Sequence, residues 1–292
     1  MNTYLIVAGC VLAVALLAAV FYFRLVSAFT GNLGKRRTNP ATGNPGDTIE
    51  LHAVFLPVPG CGGTASPFTT KIEAYLRMAG LPYKNKSSDL ASSPNGRIPW
   101  MQHGNQQISD SRFIVRFLHN TYGSQLRTRE PQDPVDQALS TTIQRLCEQH
   151  MYFTSLYHVA STPDGRQQAV KMFGSMASWP MVEVLTRAWS QGRTTQLRYQ
   201  GVLTNSHEDI NLLIAEDLAA LSALLGDKTY FLGPQPTVAD ACVFGFIQTH
   251  THGLDDTALS RAVKKHQNLV KFADNIQKTY FADRLEKGLK LD

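Results

Sequence analysis

Two adjacent polar residues, Asp110 and Ser111, stand directly before an apolar-periodic run in which Phe113, Ile114, Phe117 and Leu118 share a face. A helix N-terminus leaves backbone N–H groups free and carries the positive end of the helix dipole, so it is a natural seat for a carboxylate. Ser111 adds a hydroxyl donor there, and Asp110 can pair an ammonium. The same two residues also serve as an ordinary N-cap. Ser66 occupies a similar place before Pro67 and Phe68, Ser being a favoured cap and Pro a favoured first helical residue. Upstream of it the loop PVPGCGGTA holds Thr64 and Cys61. The thiolate is the reactive form of cysteine, and nothing near Cys61 in the sequence lowers its pKa. The cysteines Cys10, Cys61, Cys147 and Cys242 are scattered and form no CxxC pair, which argues against a disulfide framework and a structural zinc site. The nine histidines show no metal spacing. His250 and His252 stand two apart, which on a helix sets them on different faces, and they read as polar surface or partly buried side chains.

The elements that must position these residues are legible from period and punctuation. Ile49 to Leu56 alternates and then turns apolar, as a buried strand does. After the Gly- and Pro-rich loop, Ser66-Pro67-Phe68 opens a helix with Phe68, Ile72, Tyr75, Leu76 and Ala79 on one face, ended by Gly80. Leu81-Pro82-Tyr83 begins a second strand. Arg97 to Met101 reads as an apolar strand with Pro99 at an edge or a bend, because Pro99 cannot donate to a ladder, and Gly104-Asn105 turns a hairpin into Gln107-Ile108. This order suits β-α-β-α-β-β-α if the polar stretch between Lys84 and Gly96 hides a short second helix. Beyond Pro131 the period is helical. Ile210, Leu213, Ile214, Leu218, Leu221 and Leu225 recur at threes and fours behind a capping box of Ser206 and Asp209. Thr237 and Asp240 form another, a structural device at the head of a helix that is apolar nearly all round and therefore buried. The last helix runs from about Asn268 to Phe281.

The charge pattern speaks to location. The chain has 292 residues and a formal charge of +5, with 28 Lys and Arg against 23 Asp and Glu. Arg24, Lys35, Arg36 and Arg37 follow an uncharged segment, and without them the balance is 24 to 23. The basic character is a collar, which argues against a nucleic-acid surface. Residues 3–23 are almost wholly apolar, and a transmembrane helix needs roughly 20 such residues. Val26-Ser27-Ala28 would suit a signal peptidase, but no basic residue precedes the run and its length exceeds an h-region. An uncleaved single-pass anchor over 3–23 is therefore expected. A basic flexible tether over 24–48 follows, and the collar places the body in the cytosol.

Taken together, Ser66-Pro67-Phe68, Ile98-Pro99, Asp110-Ser111 and FLG…PTVAD match, in order and separation, a glutathione-transferase-like protein across roughly Ile49 to Phe281. SPFTTKIEAYLRMAGLPY and NGRIPW…ISDS further resemble its failed-axon-connections and metaxin-like branch, which includes cadmium-responsive nematode proteins. The resemblance implies a thioredoxin-like glutathione-binding domain over 49–125 and an all-helical domain over 131–282, preceded here by the transmembrane helix. It implies that Ile98 and Pro99, through a cis bond, face the cysteinyl part of glutathione and that Asp110 and Ser111 hold its γ-glutamyl end. Ser66 takes the place of the residue that meets the thiol, with Thr64 and Cys61 as alternatives. Glutathione is then the co-substrate, with no metal, and a small electrophile is conjugated or reduced at the cytosolic face. An anchor of this kind suits the endoplasmic reticulum or the mitochondrial outer membrane. Family members are commonly dimers. The branch also holds members with adaptor or transport roles, so a non-enzymatic protein with a protein partner is the alternative.

Overall fold

A computed structural model describes residues 18–24, 26, 38–88, 92–174, 177–253 and 257–289. Its amino-terminal half is built on a four-stranded sheet of β1 (Ile49–Ala53), β2 (Lys84–Ser87), β3 (Trp100–His103) and β4 (Gln106–Ser109), in the order β2-β1-β3-β4. β1 pairs parallel with β2 and antiparallel with β3, and β3 pairs antiparallel with β4. Between β1 and β2 the chain forms α1 (Pro67–Ala79), and after β4 it forms α2 (Ser111–Tyr122). α1 starts at Ser66, whose hydroxyl accepts the Thr69 N–H at 3.3 Å, and stops at Gly80 in the left-handed region (φ 72°) that only Gly adopts freely. Leu51, Ile72, Tyr75, Met101, Ile108 and Phe117 are sealed between sheet and helices.

The carboxy-terminal half is helical. α3 (Pro134–Arg145) runs through a π-turn at Leu146–Met151 into α4 (Tyr152–Ser161). α5 (Pro163–Phe173), α6 (Met181–Tyr199) and α7 (His207–Leu225) follow. α8 (Val238–Gln248) leads into a second π-turn at Thr249–Gly253, then α9 (Ala258–Lys264), α10 (Gln267–Tyr280) and α11 (Ala282–Lys287). Every residue of α8 is buried, each large apolar side chain there contributing about 1.5–3 kcal/mol. α8 packs on α1 through Gly245. A Cβ at that position would stand 2.6 Å from the Pro67 carbonyl and 3.0 Å from the Lys71 N–H nitrogen, so only Gly allows the backbones so close. This contact joins the two halves and fixes the N-terminus of α1.

Three expectations change. The fold class loses its transmembrane helix: among the described residues no helix is long and apolar enough to cross a membrane. Of the segment 3–23, residues 3–17 lie outside the described ones. Residues 18–24 are helical, and the Tyr22 hydroxyl donates to Gln191 Oε1 on α6 at 2.7 Å. The segment 24–48 is not free at its far end. Asn39 makes a two-point bond with the backbone of Ser109 (2.9 and 3.1 Å), Gly43 N–H donates to Thr121 at 2.9 Å, and Asn120 holds the Ala41 carbonyl. Between β2 and β3 the described residues form turns, held by Ser93 and Asn95 on the Arg97 N–H, and no second helix.

Candidate functional site

The ladder itself gathers the sequence motifs. Trp100, at the start of β3, pairs with Ser109 at the end of β4 and with His52 near the end of β1. Pro99 and Asp110 therefore flank one rung, and the chain leaving β1 at the same edge leads through the loop to Ser66. Ile98-Pro99 and Asp110-Ser111 thus lie side by side at the carboxyl edge of β1, where α/β sheets commonly place ligands, and Ser66 heads the helix that the chain forms after leaving β1 there. The Ile98–Pro99 bond is cis. Trp100 is buried as a wall, stacked on His52 at 3.8 Å between ring centroids and donating from Nε1 to Ser88 at 3.1 Å.

Asp110 is the N-cap of α2. Its Oδ1 accepts the Arg112 N–H at 3.0 Å, and its carboxylate also meets the Arg112 guanidinium at 3.3 Å. Its φ of 71° makes it the non-Gly residue with positive φ among those described. Such backbone is held at a cost and clusters at ligand sites. Asn39 grips the preceding residue from both sides, which helps hold the conformation. Ser111 is buried beside it, and its hydroxyl makes no side-chain hydrogen bond among the described residues. The start of α2 thus offers a hydroxyl and backbone N–H groups to an anion, with a carboxylate alongside.

The thiol-facing alternatives now separate. Cys61 donates its S–H to the Gln248 carbonyl at 3.5 Å, and burial pushes its pKa up to about 12. It is not a thiolate near neutral pH. Thr64 is 1% exposed, and its hydroxyl is tied to the backbone of Ser66. Ser66 is half-buried, and because its oxygen accepts from Thr69, its own proton remains to donate. Cys147 and Cys242 are buried and free, and a mutual hydrogen bond with burial raises the pKa of Cys147. Cys10 lies outside the described residues. Among the described residues no cluster of His, Cys, Asp or Glu could hold a metal.

Charges that the sequence did not disclose tie this edge to the helical half. Lys71, on α1 and fully buried, meets Glu148 of the first π-turn at 2.5 Å. Glu148 also takes Arg145 at 2.9 Å and lies 4.0 Å from Arg112. A relay of alternating charge therefore runs from α1 to Asp110. A second buried set centres on Glu73, which accepts from Arg284, Tyr83 (3.1 Å) and Asn85 (3.2 Å). The Gly-rich loop is bound to the same half: Gln277 and Arg284 hold the Gly60 and Gly62 carbonyls at 3.1 and 2.9 Å. Thr237 and Asp240 lie away from this edge. Asp240 accepts both Thr237 donors and the Phe231 N–H at 2.8 Å each, so its carboxylate heads α8 and anchors the turn before it.

Residues 67–165 match the family model described as Glutathione S-transferase N-terminal domain, and 214–276 that described as Glutathione S-transferase, C-terminal domain. Metaxin-2 of Mus musculus is 30% identical over 220 residues, 73% of this chain and 81% of that protein. Failed axon connections of Drosophila melanogaster is 27% identical over 78% of this chain, which spans only 57% of that protein's length. Isoprene-epoxide–glutathione S-transferase of Rhodococcus sp. is 26% identical over 74% of this chain and 92% of that enzyme. Among solved structures, the beta-etherase LigF from Sphingobium sp. superposes with a TM-score of 0.58 at 16% identity, over 82% of this chain and 99% of that one. A rice glutathione transferase solved with glutathione gives 0.53 at 13% identity, over 84% and 91%. At these identities the two structures share the fold with this chain.

Proposed function

Because the chain belongs to the glutathione-transferase-like family, in the branch that holds failed axon connections and the metaxins, we propose that it binds glutathione at the carboxyl edge of β1 and presents the thiol to a small electrophile. The observation that carries this reading is the ladder register that sets Pro99 beside Asp110-Ser111 at the edge where the chain leaves β1 toward Ser66. Residues 49–125 act as the glutathione-binding half and 131–282 as the helical half beside it. Ser111 and the first N–H groups of α2 take the γ-glutamyl carboxylate. Asp110 pairs the α-ammonium with the lone pairs that Arg112 leaves free. The backbone of Ile98, set by Pro99, pairs with the cysteinyl part. The Ser66 hydroxyl donates a hydrogen bond to the sulfur and so favours the thiolate. In conjugation the sulfur lone pair forms the new S–C bond as the electrophile's carbon–heteroatom bond breaks, the bond pair staying on the heteroatom, and the thiol proton goes to that heteroatom or to solvent. In reduction a second glutathione takes part, two thiols being oxidised to glutathione disulfide as the electrophile takes up two electrons and two protons. The likeness to an epoxide-conjugating transferase supports this chemistry.

Ser66→Ala in the full chain is expected to lower turnover of a model electrophile about 10²-fold or more while leaving the glutathione Kd within about threefold, since only the sulfur contact is lost. Unchanged turnover in a folded Ser66→Ala protein would remove Ser66 from the chemistry. A second reading, a non-enzymatic adaptor, is favoured by the likeness to Metaxin-2 and Failed axon connections over most of the chain. Co-purification with a stoichiometric protein partner, together with no turnover, would select it.

A further inference from the structure

The helical half encloses a cavity of about 180 Å³, remote from the sheet edge. It lies where the end of α4, the starts of α5, α7 and α9, and the second π-turn converge. Two of its lining residues, His158 on α4 and His250 on the π-turn, are each only 7% exposed. Nε2 of His158 and Nδ1 of His250 meet no hydrogen-bond partner. A buried polar atom left unpaired costs about 1–3 kcal/mol, and two beside one cavity are a cost that a bound molecule would relieve. The rest of the wall is largely apolar, with Val159, Pro163, Ala258 and Leu259.

The groups around the two imidazoles define the ligand's chemistry. From α5, Asp164 lines the cavity but forms no ion pair with either ring. From α7, His207 stands with its ring centroid 5.8 Å from that of His158 and its Nδ1 tied to the Tyr157 hydroxyl at 3.1 Å. On the π-turn, His252 is engaged by Thr251 and Asp274. From α9 the lining residues Thr257, Ala258 and Leu259 are uncharged. Among the described residues, then, no carboxylate partners either buried imidazole. Burial pushes His158 and His250 down to about 4, the neighbouring His207 and His158 adding to it. Both rings are neutral near pH 7, each with one donor and one acceptor nitrogen. A proton on either ring would need a counter-charge, which an incoming carboxylate brings.

We propose that this cavity is a binding site for a small organic monocarboxylic acid, whose carboxyl group engages His158 and His250 and whose short apolar body lies against Val159 and Leu259. The volume, roughly six waters of the liquid, limits that body to a few carbons. Binding is a proton-coupled association with no covalent change: the carboxylate enters with one proton from solvent, which rests on an imidazole. Affinity therefore strengthens about tenfold for each unit that the pH falls from 7 toward 5. His207 and Gln168, also in the wall, come from the stretch between the two matched family segments, so the site is built partly outside them.

The test is calorimetric titration of the full chain with butyrate, n-butanol and inorganic phosphate, repeated in two buffers of unequal ionisation enthalpy. Butyrate is expected to bind with uptake of about one proton and at least about tenfold more tightly than butanol or phosphate. His250→Gln, or His158→Gln if the first variant does not fold, is expected to weaken butyrate at least about tenfold and to leave glutathione affinity unchanged. No butyrate binding, binding without proton uptake, butanol binding as well as butyrate, or butyrate affinity unaltered in the folded variants would each overturn the proposal. If neither variant folds, the wild-type titrations alone decide.

Discussion

Asp110 has two duties at the residue scale. It caps α2, and it keeps a positive φ that a Cβ disfavours. Such a conformation costs on the order of 1–3 kcal/mol, and replacing a capping Asp by Gly costs only a few tenths. Asp110→Gly is therefore expected to stabilise the protein by about 1 kcal/mol in urea denaturation while weakening glutathione binding. A variant that is less stable than wild type would mean the backbone there is not strained. That Asp110 and Ser66 cap their helices was readable in the sequence because N-caps act over three residues. The elimination of Cys61 was not, since its Gln248 partner is 187 positions away. The same holds for Lys71, whose neutraliser Glu148 is 77 positions distant. His250 read as an unremarkable histidine because a helix sends residues two apart to different faces. Its burial comes from the π-turn and the packing of α9, neither of which leaves a local signal.

Capping boxes are the clearest sequence signals at the element scale, and the structure gives two of them very different weights. Ser206 and Asp209 head α7 at the surface. Thr237 and Asp240 head α8 with 0% exposure, and Asp240 carries three charge-assisted bonds against a burial that raises its pKa. Ser206→Ala is expected to cost about 1 kcal/mol. Asp240→Ala leaves several buried donors unpaired and is expected to cost at least about 3 kcal/mol, read as a shift in denaturation midpoint. Equal effects would mean α8 does not organise the packing against α1. The strand and helix order of the amino-terminal half was legible from alternation, Gly and Pro. The helix expected between β2 and β3 was not realised over the described residues, because the polar stretch there has no apolar face to bury and satisfies its backbone through Ser93 and Asn95. The docking of residues 39–47 escaped the sequence reading because it depends on side-chain amides meeting distant backbone.

The two buried imidazoles shape acid stability at the scale of the whole molecule. Unfolding restores an ordinary histidine pKa near 6.5, while in the fold His158 and His250 stay near 4. The unfolded chain then binds more protons between these values, so stability is intact above pH 6.5 and falls as the pH drops toward 4. With two such groups the slope is at most about 2.7 kcal/mol per pH unit, and His250→Gln is expected to reduce it by about half. A flat stability profile between pH 6.5 and 4 would mean the rings are not buried as neutral bases. The two halves are otherwise tied together by α1 against α8 and by the Lys71–Glu148 and Glu73–Arg284 pairs. The most direct test of the sheet edge as a ligand site is titration of the full chain with glutathione, wild type against Ser111→Ala. The glutathione reading requires saturable binding at millimolar glutathione or below, weakened about tenfold in Ser111→Ala through loss of one hydrogen bond to a charged group. No binding at millimolar glutathione, or an affinity unchanged by the substitution, would contradict it.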